Sequence, residues 1–192
     1  MAGALIPGYD PLRQAISETF ALGAPPVPAT LVRASLVVSG VALVAFAWAL
    51  DRGLPGQGRT GPVLCAVAGV LTLAVAAVPC TDGCPGAGTT LLDTLHVGIA
   101  GTGYLALIAT PLVVAGRIRG HAPRLARWSV ALGGLALAGF LTHTLGVGLV
   151  PGLSQRVFNT VADLWFVLAA VWLLRRYGPV RARPPRHHDV AR

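Results

Sequence analysis

Four residues whose types can do chemistry stand inside apolar runs of this sequence: Asp93, His96, His143 and Asp163. An ionisable side chain inside a membrane span costs roughly 2.5–3.5 kcal/mol on insertion scales, so each is a functional candidate. Asp93 and His96 are three apart and share one helix face, which Ala100 and Gly103 continue as a small-residue stripe. Gly139, His143 and Gly146 form a comparable stripe, and Asn159 and Asp163 stand four apart. At a rise of about 1.5 Å per residue, His96 lies about 7 Å below the end of its apolar run, His143 about 10 Å and Asp163 about 9 Å. This predicts a common level for the three.

Several chemistries fit that pattern. Asp and His can pair across helices and fix the packing, with Asp93 near a helix start complementing the dipole. The four together, Asp93, His96, His143 and Asp163, make a mixed nitrogen and oxygen set suited to zinc and an activated water. Ser17, Asp93 and His96 have the residue types of a catalytic nucleophile, acid and base, although no elbow motif surrounds Ser17. His96 and His143 also suit axial ligation of a haem, or the lining of a lipid or quinone site. Cys80 and Cys84, in the loop Pro79–Pro85, are expected to form a tight disulfide, and Cys65 to serve as a small packing residue. Without two further ligands nearby, the pair is a weak metal signal.

The elements that position these residues follow from composition. The chain has 192 residues, 54% of them hydrophobic and only 11% charged, with a mean hydropathy of +0.69. A soluble domain carries about 25% charged residues, so this surface is made for lipid. The net charge of +8 comes from arginine alone. Those arginines lie in short clusters between apolar runs, as the positive-inside rule places them, so membrane lipids rather than nucleic acid are the expected partners.

Five runs reach the length needed to cross about 30 Å of hydrocarbon: Leu31 to Leu50, Pro62 to Val78, Leu91 to Ala115, Trp128 to Val150 and Val157 to Leu174. The runs are continuous rather than alternating, which predicts an all-α bundle of five spans and not a barrel. Twelve of the fifteen arginines fall on one side, from Arg52 and Arg59 through Arg117–Arg127 to the tail. That bias predicts a multi-pass protein of the cell membrane with the N-terminus outside and the C-terminus in the cytoplasm. Residues 1–30 are expected to be an outer-side amphipathic segment, 31–176 the bundle, and 177–192 a basic cytoplasmic tail. Asp10, Arg13 and Glu18 argue against a signal peptide. Leu12, Ala15, Ile16 and Phe20 suggest instead a short interfacial helix from Pro11 to Leu22. In the tail, His187 and His188 are a minor metal candidate.

Four segments carry a resemblance: Pro7-Gly8-Tyr9-Asp10-Pro11-Leu12-Arg13-Gln14-Ala15-Ile16-Ser17-Glu18, Pro79-Cys80-Thr81-Asp82, Leu92-Asp93-Thr94-Leu95-His96 and Gly152-Leu153-Ser154-Gln155-Arg156. In order and spacing they resemble the bacterial integral-membrane family catalogued as domain of unknown function 998. That resemblance implies a fold and a site location but no reaction. Members look like six-span proteins with a helix before the Tyr-Asp-Pro-Leu-Arg segment; here eight residues precede it. Either that helix is absent or the true start lies upstream. The Ser, Asp and His near one face are also similar to the seven-span lipid hydrolases related to alkaline ceramidase, whose paired His-x-x-x-His this chain lacks. The expected function is a membrane protein whose outward-facing polar pocket, between the third, fourth and fifth spans, binds a lipid-like or small ligand. The alternative is a metal-dependent intramembrane hydrolase acting on a lipid.

Overall fold

The computed structural model describes residues 2–147 and 150–177. The tail from residue 178, with His187 and His188, lies outside the described residues. Five helices make up the bundle: α1 Pro26–Gly53, α2 Thr60–Ala77, α3 Leu91–Ile118, α4 Pro123–Thr144 and α5 Pro151–Tyr177. Each is long and apolar enough to cross a membrane, and the described residues include no strand. The expectation of five helical spans holds.

The helix starts follow local chemistry more closely than hydropathy. Proline is favoured at the first helical position, where its missing N–H costs nothing. Pro26, Pro123 and Pro151 all begin helices. So α5 begins at Pro151, six residues before the apolar run that marks it in the sequence. Thr90 starts α3 differently: its hydroxyl oxygen accepts from the Asp93 N–H at 3.1 Å, and its hydroxyl donates to the Asp93 carboxylate at 2.7 Å. Thr90-x-x-Asp93 is thus a capping arrangement, readable in the sequence.

At its far end α4 stops early. Gly146 has φ +66°, its N–H reaches the His143 carbonyl at 3.3 Å, and the Val147 N–H reaches the Thr142 carbonyl at 3.0 Å. These paired bonds and a left-handed glycine form a Schellman cap. Gly146 therefore terminates the fourth span instead of continuing a stripe along it.

The helices are joined in a ring. Neighbours in sequence pack side by side, and α1 meets α5 at the arginine-rich end. Phe46 and Phe166 stack edge-on with centroids 5.8 Å apart, and the Tyr177 hydroxyl donates to the Gly53 carbonyl at 2.9 Å. The principal core lies at this end, around Leu50, Cys65, Val114, Ile118 and Trp165. The Trp165 indole N–H donates to the Ser129 hydroxyl at 2.7 Å, so the largest buried side chain carries no orphan donor. Arg117 binds the carbonyls of Asp51, Leu54, Pro55 and Gly58, and so stitches the α1–α2 loop to the end of α3.

At the opposite end the N-terminal segment lies across the bundle. It does not form the interfacial helix expected from Pro11 to Leu22; it is a chain of turns with short 3-10 helices at Ala2–Leu5 and Ile16–Phe20. Side chains take over its backbone bonds. The Gln14 amide oxygen accepts from the Asp10 N–H at 2.7 Å, and the Glu18 carboxylate from the Ala15 N–H at 2.7 Å. Leu12 is exposed while Phe20 is buried, so no single apolar face runs the length of the segment.

Candidate functional site

The four motif segments that are scattered in sequence meet at this one end. The Leu153 N–H donates to the Leu12 carbonyl at 2.8 Å, the Ile16 N–H to the Gln155 amide oxygen at 2.7 Å, and the Leu22 N–H to the Cys80 carbonyl at 2.9 Å. Arg156 reaches the carbonyls of Gln14 and Gly152 and the Tyr9 hydroxyl. Gly152 is required by this contact: a Cβ there would stand 2.6 Å from the Pro11 carbonyl oxygen and collide with that of Gln14.

Asp93 belongs to the clasp rather than to an open site. Its carboxylate accepts from the Thr81 N–H at 2.8 Å, the Thr81 hydroxyl at 2.8 Å and the Thr90 hydroxyl at 2.7 Å, and the residue is fully buried. The acid is thereby spent on holding the Cys80–Cys84 loop against the start of α3. Cys80 and Cys84 are bonded, their Cα atoms 5.2 Å apart, and Cys65 is free and buried.

The two histidines are placed differently. His96 Nδ1 lies 2.7 Å from the Val78 carbonyl. A carbonyl only accepts, so Nδ1 is the donor in this bond, and in the neutral ring Nε2 is the acceptor. His143 Nδ1 lies 2.8 Å from the Ser154 hydroxyl oxygen, whose own proton goes to the Pro151 carbonyl at 2.9 Å. With its proton so placed Ser154 accepts from His143 Nδ1, and in the neutral ring Nε2 is again the acceptor. Both rings line one cavity of about 370 Å3, together with Ser17, Phe20, Tyr104 and Gln155. This cavity draws on α1, α2 and the N-terminal segment as well as on α3, α4 and α5, through Leu36, Val75 and Ile16.

Asp163 stands apart from them. With α5 beginning at Pro151, it lies about 18 Å along the helix, against about 7 Å for His96 along α3. Three groups at one level is therefore not what the helix bounds give. Asp163 lines a second cavity of about 260 Å3 with Asn159, Ser39 and Thr72. The two cavities share Ile16, Leu36, Val75, Ala100 and Tyr104. The Tyr104 hydroxyl oxygen lies 3.3 Å from the Gln155 amide nitrogen and 3.5 Å from that of Asn159, at the boundary between them.

The set Asp93, His96, His143 and Asp163 is consequently not assembled. Among the described residues no group of three or more His, Cys, Asp or Glu side chains is gathered closely enough to hold a metal ion. The Ser17, His96 and Asp93 arrangement lacks its second link, because His96 Nδ1 bonds Val78 and not the Asp93 carboxylate. Tyr104 and Gln155 are lining residues that the sequence reading did not single out as a site. Polar residues inside an apolar run were the available signal for Tyr104, and its position two turns beyond His96 on α3 was legible.

Five apolar helices closed into a ring, with polar groups gathered at one end, define a multi-pass membrane protein of helical type. The chain belongs to the family described as protein of unknown function (DUF998), whose model matches residues 1–172. No curated protein and no solved structure matches it.

Proposed function

We propose that the protein resides in the cell membrane with its N-terminus outside, and that the cavity under its N-terminal segment binds a lipid-like or small ligand whose polar head donates hydrogen bonds. The observation that carries this reading is the pair of histidines, His96 and His143, in the walls of one cavity, each with Nδ1 engaged and Nε2 left as the acceptor of the neutral ring. Acceptors without protein partners in an otherwise largely apolar cavity suit a ligand with an apolar body and a hydroxyl or amide head. The orientation is supported by the arginines and by aromatics near them. Arg52 lies over the Trp48 ring and Arg176 over Trp172, both at the end opposite the cavity, as interfacial anchors would.

Native mass spectrometry of the purified chain tests the reading. The wild type should retain one amphiphile, and His96→Asn or His143→Asn should each lose it while the protein still inserts. Asparagine can replace the Nδ1 bond to Val78 or Ser154 but places no atom where Nε2 stands. The double variant should lose no more than either single one, since residues acting as a unit are non-additive. Retention of the amphiphile by both single variants would sink the proposal.

A further inference from the structure

A carboxylate in the middle of an apolar helix needs either a proton or a positive partner. Asp163 has no hydrogen-bond or ion-pair partner among the described residues. It is exposed even though it stands near the midpoint of α5. The ring explains why. Phe158, Ala162, Trp165 and Ala169 are the buried face of α5, and Asn159, Asp163 and Phe166 lie beside it, toward α1. At Phe166 that side is closed by Phe46. One turn nearer the N-terminal segment there is no closure: Leu36, Ser39 and Leu43 of α1 and Asn159 and Asp163 of α5 face each other across the second cavity. The seam between the first and last helices is thus a groove with an acid in one wall.

We propose that this groove takes the protonated amine of an amphiphile, with Asp163 as its counter-ion, and that the alkyl body lies along Leu36, Leu43 and Leu71. The inference rests on the ligand reading above and gives it a chemical class. Asn159, Ser39 and Thr72 supply oxygens for the remaining ammonium protons. Among the described residues no arginine lines the groove to compete for the acid, and the sequence has no lysine. Because the two cavities share Tyr104 and Ala100, one molecule can lie in both, its amine at Asp163 and a hydroxyl at the histidines.

The test is equilibrium dialysis of labelled n-octylamine and n-octanol against the purified chain in nanodiscs at pH 7, with empty nanodiscs as the blank for partitioning. The amine should bind at least tenfold more tightly than the alcohol. Asp163→Asn should bring that ratio close to one and leave the affinity for octanol unchanged, while Asp163→Glu keeps the preference. Asp163→Ser is the second neutral variant if Asp163→Asn does not accumulate. Equal binding of amine and alcohol by the wild type, or a preference that survives in both neutral variants, overturns the amine assignment and leaves the cavity reading standing. Binding of neither compound above the blank overturns both.

Discussion

Arg156 donates to the phenolic oxygen of Tyr9 at 2.6 Å, across 147 residues of chain, and the Tyr9 hydroxyl in turn donates to the Ala15 carbonyl at 2.9 Å. The guanidinium also lies over the Tyr9 ring, 5.8 Å from its centroid. This is the strongest point of attachment between the N-terminal segment and α5. Hydrogen bonds that involve a charged group contribute about 1.5–3 kcal/mol each. Arg156→Ala should therefore release residues 2–20 from the bundle, seen as faster amide exchange there with little change in α2 and α4. Tyr9→Phe should do the same to a smaller extent. Unchanged exchange in both variants would show that the clasp is held elsewhere.

Asp93 should be the costliest single polar position to remove. Asp93→Ala leaves the buried Thr81 N–H without its acceptor and destabilises by about 1.5–3 kcal/mol. Thr90→Ala removes the helix cap, at about 1 kcal/mol, and one of the three donors to the carboxylate, but leaves the Thr81 bonds in place. Thermal unfolding in one detergent should rank the two in that order. Protease sensitivity of the loop between α2 and α3 should rise only in the first.

Thiol counting checks the cysteines. Denatured without reductant, the protein should alkylate once, at Cys65; denatured with reductant, three times. Two or more alkylations before reduction would contradict the Cys80–Cys84 bond.

Gly152→Ala tests the close approach of α5 to the N-terminal segment. The added methyl meets the carbonyls of Pro11 and Gln14, and overpacking of this kind costs about 1–3 kcal/mol. Gly134, whose Cβ would meet open space, is the control; Gly134→Ala should leave the melting temperature unchanged or raise it.

Orientation has its own measurement. A reporter that is active only in the cytoplasm should be active when fused after Arg192, and one that requires export should be silent. The reverse pattern would invert the proposed topology and place the cavity on the inner face.

The five spans were legible because continuous apolar runs leave a chain few alternatives in lipid. The helix ends were not, since hydropathy passes over Pro151 and Gly146, whose backbone preferences decide where α5 starts and α4 stops. Taking α5 from Val157 instead of Pro151 made Asp163 shallow and set it level with His96. Residue type marks the polar positions inside the apolar runs but not their division of labour. Asp93 with Thr90 and Thr81, and Arg156 with Tyr9, hold the scaffold together. The histidines and Asp163 face cavities. That sorting depends on which neighbour each side chain meets, and residue type alone does not carry it. Apolar spacing in the N-terminal segment suggests a helix because it carries no sign of Gln14 and Glu18 capturing backbone N–H groups.

The meeting of the first and last helices has a consequence for how the molecule is made. A ribosome delivers α1 early, yet the partners of Phe46, Leu50 and Gly53 on α5 arrive only after more than a hundred further residues. The N-terminal segment is completed by the same helix: Phe20 and Leu22 bond Arg33 and Cys80, but Gly152, Gln155 and Arg156 hold residues 9–16. Four inserted helices are therefore an open arc with an unsealed edge and a loose leading strand. Contacts of such sequence separation come late in assembly. Both closures are completed by a single event, the arrival of α5, so a chain interrupted before residue 151 lacks the seal between α1 and α5 and the Arg156 and Gln155 anchors of the N-terminal segment together.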